Sequence, residues 1–260
     1  MIDTIHRLKE FLSYQQRAQT KYYIHSPFVY QFYLNVLEGS TADELQKIKA
    51  LHDHLFQIYD KISINDMGAT PGNKEKTISK LASGASMPEK YGKVLFNLVR
   101  YFSPGTIIEL GTCLGISTAY MASADDAGKI ITIEGSKSLS DLAVKNWGEL
   151  KFNNIEAIIG SFDEKLPEVL SGIETVDMAF IDGNHRYAPT LKYFNMLMEK
   201  ANEKSILVFD DIYWSREMSE TWTVIKKDPR ITLTIDIYRL GIVFMRHDKL
   251  AKEDFTLRYP

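Results

Sequence analysis

The chain has 260 residues, 45% of them hydrophobic and 25% charged, and carries a net charge of -3. This is enough apolar material for one large α/β domain, alone or with a helical extension. It excludes the strong basic surplus of a nucleic-acid-binding surface and any apolar run near the roughly 20 residues that cross a bilayer. Cys113 is the single cysteine, so no internal disulfide forms, which suits a reducing compartment. The stretch "MIDTIHRLKEFLSYQQ" has charges throughout and lacks the apolar centre of a secretory signal. A cytoplasmic protein without a membrane or nucleic-acid partner is expected.

Residues 1 to about 62 read as helical. Ile2, Ile5, Leu8, Phe11 and Leu12 recur at helical spacing. Ser26 and Pro27 suit an N-cap and a first helical position, and Thr41 with Glu44 suits a capping box. Residues 63 to about 87 are rich in glycine, serine and lysine, and read as a loop or lid. We therefore place a helical extension with lid or linker over 1–85 and a catalytic domain over 86–260.

From residue 88 the pattern turns regular. A helix over "PEKYGKVLFNLVRYF" leads into "TIIELGT", a helix from Ser117, "KIITIEG", a helix over 138–150, "IEAIIG" and a short helix near 163–171. "VDMAFID", a helix over 187–201, "SILVFDD" and a helix over 214–227 follow. The strand segments are short, rich in Ile and Val, and apolar on both faces, as parallel strands between helix layers are. The close, "ITLTIDIY-RLG-IVFMR", reads as a hairpin with a tight turn at Gly241, so its last strand runs antiparallel. The expected fold is a doubly wound, Rossmann-like α/β sheet of seven mostly parallel strands with an antiparallel last strand.

Ligands of such sheets sit beyond the carboxyl ends of the strands. At the first end, "IIELGTCLGIST" places Gly111 and Gly115 in a turn, with Cys113 where a dinucleotide fingerprint needs its second glycine. Glu109 would repel phosphates and suits a ligand carrying positive charge. S-adenosylmethionine, with an ammonium and a sulfonium and no phosphate, fits; Ser117 and nearby amides suit its carboxylate. The alternative is a glycine turn with no ligand. Glu134 ends the second strand, where an acid grips a ribose diol or is simply a solvated strand-end acid. At the third end Ser161 and Phe162 suit an adenine, or Phe162 is core and Asp163 a helix cap.

Asp182 ends the fourth strand, and Asp210 and Asp211 end the fifth, 28 residues later. Neighbouring strands lie about 4.8 Å apart, so three carboxylates converge. They would repel one another unless a cation sits among them. Magnesium or calcium accepts oxygen donors of this kind, with Asn184 able to add an amide oxygen. The other reading is that the acids cap the helices that follow. His185 suits proton transfer near neutral pH.

Together "IIELGTCLGISTAYMA", "IITIEGS", "IIGSFDEKLPEV", "VDMAFIDGNHRY", "SILVFDDIYW" and the hairpin resemble the class I S-adenosylmethionine-dependent methyltransferases, and among them the catechol and caffeoyl-CoA type of O-methyltransferase, over about residues 86–246. The resemblance implies a cofactor set of Glu109, Gly111, Thr112, Gly115, Ser117, Glu134, Gly135, Ser161, Phe162 and Asp182. It implies a divalent cation, such as Mg2+, on Asp182, Asp210 and Asp211, and catalysis by His185 with Asp182. Lysine is common where this chain has His185, and Asn where it has Asp211. The implied reaction moves a methyl group to an oxygen of a small-molecule acceptor. Alternatives are a metal-independent methyltransferase of O or N acceptors, and a nicotinamide-dependent oxidoreductase, against which Cys113, Glu109 and the hairpin argue. The N-terminal helices either cover the acceptor pocket or make a homodimer contact.

Overall fold

The computed structural model describes residues 2–39, 44–66, 72–124, 127–246 and 251–259. The capping box expected at Thr41 lies outside the described residues. In chain order the helices are α1 (Ile2–Arg17), α2 (Pro27–Phe32), α3 (Glu44–Leu55), α4 (Ile78–Gly84), α5 (Glu89–Phe102), α6 (Ile116–Ala122), α7 (Lys137–Leu150), α8 (Phe162–Ser171), α9 (Tyr187–Met198) and α10 (Arg216–Lys227). The strands are β1 (Lys61–Asp66), β2 (Gly72–Thr77), β3 (Thr106–Leu110), β4 (Lys129–Glu134), β5 (Ile155–Ile159), β6 (Met178–Ile181), β7 (Ile206–Phe209), β8 (Leu233–Asp236), β9 (Gly241–Phe244) and β10 (Glu253–Thr256). β3 to β10 make a mostly parallel sheet of eight strands among the described residues, one more than expected. The chain divides into two compact units, Leu34–Gly172 and Met1–Tyr33 with Ile173–Pro260.

In the unit Leu34–Gly172, β3, β4 and β5 pair in parallel, with Leu110 opposite Ile133 and Glu134 opposite Ile159. Ile107, Ile108, Ile130, Ile131 and Ile133 are buried, as expected of strands covered on both faces. α5 buries Val94, Leu95, Leu98 and Val99 on one stripe. Gly92 in α5 lies against the Tyr120 ring; a Cβ there would sit 2.3 Å from the ring carbons. The stretch read as a loop over 63–87 instead contains the antiparallel β1/β2 pair and α4. Its strands are held by backbone hydrogen bonds and carry mostly polar, exposed side chains, so hydrophobic patterning does not reveal them. Thr77 caps α4 by accepting the Lys80 N–H at 3.3 Å.

In the other unit the strand order is β10-β8-β9-β7-β6. β6 and β7 are parallel, and β9 runs antiparallel to both β7 and β8, as the hairpin implied. Gly241 opens β9 rather than forming the turn, and a Cβ there would meet the Trp222 ring at 2.8 Å. β10, the additional strand, pairs in parallel with β8. It was missed because "EDFT" has two acids and one large apolar residue. The core holds Phe180, Phe194, Phe209 and Trp222; truncating one such aromatic to Ala costs about 3–5 kcal/mol.

α1 is helical as expected, but its inward face differs from the predicted stripe. Ile5, Leu8 and Leu12 are about half exposed. The contacts run instead through Arg7 over the Trp214 ring, Phe11 edge-on to Tyr238, and Tyr14, whose hydroxyl donates to the Leu257 carbonyl at 2.7 Å. Ser26 precedes α2 without capping it; its hydroxyl donates to Glu253 Oε2 at 3.3 Å.

Candidate functional site

The unit Leu34–Gly172 brings three strand ends together. Gly111 N–H donates to the Ile133 carbonyl at 3.0 Å, and Gly160 N–H to the Glu134 carbonyl at 2.9 Å. Gly111 has φ +104 and Cys113 φ +49, so the turn after β3 runs through left-handed backbone. This conformation aims the Cys113 N–H at Glu134 Oε2, 2.9 Å away, while Ser136 N–H reaches Oε1 at 2.9 Å. Glu134 is thus a part-exposed carboxylate fixed by main-chain donors, the N–H groups of Thr112 and Gly135 acting on it as well. Burial raises its pKa, with the N–H donors acting in the opposite direction. Gly135, Ser161 and Phe162 are also part exposed; the Ser161 hydroxyl caps α8 by accepting the Glu164 N–H at 3.3 Å.

The remaining predicted cofactor residues of this unit point inward. Glu109 is fully buried and accepts from Ser117 Oγ at 2.6 Å and Thr118 Oγ1 at 2.5 Å. Burial pushes its carboxyl up to about 7, against those hydroxyl donors. Thr112 Oγ1 is spent on Thr132 Oγ1 at 2.6 Å. Gly115, at φ +75, is shaped by α7: Trp147 Nε1 donates to its carbonyl at 2.8 Å, and a Cβ there would fall 2.5 Å from that nitrogen. These four residues brace the turn from beneath.

The second cluster lies in the other unit, at the ends of β6 and β7. These strands are adjacent, and Asp210 N–H donates to the Ile181 carbonyl at 3.0 Å, so Asp182, Asp210 and Asp211 do converge. Asn184, His185, Asp211 and Tyr238 all have positive φ, at 66°, 27°, 53° and 73°. Strained non-glycine backbone concentrated at one set of loops is what a functional site retains. His185 Nε2 lies 3.5 Å from Asp182 Oδ1. The Asn184 amide nitrogen donates to the Tyr193 hydroxyl at 3.3 Å. Tyr213 is buried and donates to Asp236, whereas Trp214 remains exposed beside it.

The sequence reading missed Arg239. Its Nε donates to Asp210 Oδ1 at 2.7 Å and its Nη2 to Asp210 Oδ2 at 2.6 Å, with Nε also 3.6 Å from Asp211 Oδ1. Desolvation and the neighbouring acids lift the Asp182 carboxyl well above its usual range and Asp211 to about 6, while the guanidinium pulls both down. A signal was available. In a hairpin whose second strand opposes β7, the turn returns to the carboxyl end of β7, where the acids are. Among the described residues, no group of three or more His, Cys, Asp or Glu is disposed to hold a metal ion.

Residues 108–212 match the family model of a methyltransferase domain. A catechol O-methyltransferase of Niastella koreensis is 28% identical over 130 residues, 49% of this chain and 58% of that protein. The chain spans less than three fifths of the curated relatives it matches, 57% and 58% of their lengths. Among solved structures, an SAH-bound methyltransferase of Podospora anserina is similar with TM-score 0.60 and 14% identity, over 86% of this chain and 97% of that one. The O-methyltransferase TomG of Streptomyces achromogenes, in complex with SAM, is similar with TM-score 0.57 and 19% identity, over 84% and 95%. At these identities the structural likenesses show the fold.

Proposed function

We propose that this chain, whose residues 108–212 match a methyltransferase domain, transfers a methyl group from S-adenosylmethionine to an oxygen of a small-molecule acceptor. The observation that supports this most is Glu134, a part-exposed carboxylate held by the Cys113 and Ser136 N–H groups at the end of β4. An acid so fixed at the end of a parallel strand suits a ribose diol. S-adenosylmethionine, when bound, supplies a methyl group on a positively charged sulfur: the S–CH3 bond breaks, an O–CH3 bond forms, and the acceptor hydroxyl loses its proton. In this reading Glu134 and Gly135 hold the ribose, the left-handed turn at Gly111 takes the methionine part, and Ser161 with Phe162 takes the adenine. Glu109, Thr112, Gly115 and Ser117 act as supports, since their side chains and packing are committed to the turn itself.

His185 takes the acceptor proton, and Asp182, 3.5 Å from its Nε2, orients the imidazole. Residues 1–85 serve as the extension and 86–260 as the catalytic domain. The half-exposed Ile5, Leu8 and Leu12 of α1 support a homodimer contact. A cytoplasmic location suits the single cysteine; no described helix is long and apolar enough to cross a membrane.

The test is to incubate the full chain with S-adenosylmethionine and a panel of phenolic and aliphatic hydroxyl compounds, following S-adenosylhomocysteine release. Acceptor-dependent release that is lost in Glu134→Ala supports the reading. Release that never rises above the acceptor-free rate counts against it.

A further inference from the structure

The resemblance implies a divalent cation on Asp182, Asp210 and Asp211, and the donor set does not fit one. A hard cation needs carboxylate oxygens converging on it at about 2.0–2.6 Å, with no other positive charge held among them. Asp210, which should be central to such a site, is fully buried, and both of its oxygens already accept N–H groups of Arg239. An ion reaching Asp210 would have to sit against a guanidinium whose Nε is also 3.6 Å from Asp211. Like charges repel strongly where water is excluded.

We propose that the Arg239 guanidinium is the resident cation of this cluster, so that the acceptor side of the site operates without a metal ion. This rests on the methyltransferase reading for what the site does, but not for how the acids are neutralised. The fold builds the arrangement deliberately. Tyr238 takes φ +73 and Asp211 φ +53, and the Arg239 carbonyl accepts the Ile212 N–H at 3.2 Å, so the β8–β9 turn is tied to the loop that carries the acids. Planar, bidentate pairing of this kind is a geometry that arginine provides and lysine does not.

Two consequences follow for the chemistry. A guanidinium remains charged throughout the working pH range and is not removed by a chelator. Without a Lewis acid to lower the acceptor's pKa, proton removal falls to His185, and an acceptor need not present two adjacent oxygens for chelation. Arg239 is therefore a positioning residue: it fixes Asp210 and Asp211 and excludes the ion.

The experiment is a titration of the full chain with Mn2+, reading free Mn2+ by electron paramagnetic resonance, on wild type and on Arg239→Gln, which keeps a side-chain N–H but drops the charge. We expect no saturable uptake by wild type, and a site gained in R239Q that is lost again in R239Q/D210N. A merely structural arginine would not yield that gain. S-adenosylhomocysteine release by wild type, measured in chelator, should stay within twofold of its rate in Mg2+. Saturable Mn2+ uptake by wild type that D210N abolishes would overturn the proposal. So would a tenfold or greater loss of turnover in chelator that Mg2+ restores, or a folded R239Q that gains no site. If R239Q does not fold, the wild-type titration and the chelator arm decide. Failure to bind S-adenosylmethionine would strike the methyltransferase reading alone, leaving the Mn2+ result to be read by itself.

Discussion

Arg239 grips Asp210 with two parallel hydrogen bonds of 2.7 and 2.6 Å, and this pair organises the acid cluster beyond β6 and β7. Asp210 is fully buried, so its charge is tolerable only with that partner in place. Arg239→Ala should therefore destabilise the fold by about 3–5 kcal/mol, the cost of breaking a buried pair from one side. The double variant R239A/D210N, which removes both charges, should recover most of this in urea denaturation. Equal losses in the single and double variants would show that an unpaired Asp210 charge is not the source of the cost.

Glu134 offers a sharper test of the cofactor turn. Main-chain N–H donors hold it, and hydrogen bonds to a charged group contribute about 1.5–3 kcal/mol each. Losing the ligand-facing bonds in Glu134→Ala should weaken S-adenosylmethionine binding by roughly 10- to 100-fold. Calorimetry on both proteins checks this, and unchanged affinity would remove Glu134 from the site.

Glu109 predicts a pH dependence of stability. Burial lifts its carboxyl from an ordinary 4.5 to about 7 in the folded chain. The folded state then holds the proton more tightly than the unfolded state does. The group's contribution is complete below about pH 4.5 and is lost as pH rises toward 7, by up to about 3 kcal/mol. Glu109→Gln cannot ionise, so its stability relative to wild type should rise between pH 4.5 and pH 8, as measured by urea denaturation across that range. A constant difference between the two proteins would contradict the assignment.

The parallel strands were legible because Ile-rich runs such as "TIIEL" and "KIITIE" sit between helices of clear periodicity, and the acid-bearing ends followed from the same alternation. The β1/β2 pair and β10 were not legible, because backbone pairing rather than apolar side chains defines them. At the site, the convergence of Asp182 with Asp210 and Asp211 was readable from strand order. The inward turn of Glu109, Thr112 and Ser117 was not, because a strand-end acid looks the same in sequence whether it faces a ligand or two hydroxyls. Arg239 was hidden for a different reason. Its partner lies 29 residues away across a hairpin, so the signal lay in the antiparallel pairing of β9 with β7 and in no local spacing.

His185 carries the proton transfer in this account, with its Nε2 3.5 Å from Asp182. His185→Gln should lower kcat by about 10²- to 10⁴-fold while leaving cofactor affinity within twofold, because general-base loss affects the chemical step. Steady-state kinetics alongside calorimetry separates the two quantities. A matching loss of affinity would mean that His185 shapes the binding site instead.

The central claim is that the turns after β3, β4 and β5 hold S-adenosylmethionine. Isothermal titration of the full chain with S-adenosylmethionine, in the presence of chelator, tests it most directly. The account predicts one site per chain with a Kd on the order of micromolar, lost or greatly weakened in Glu134→Ala. A titration showing no binding at millimolar ligand, with or without Mg2+, would contradict it.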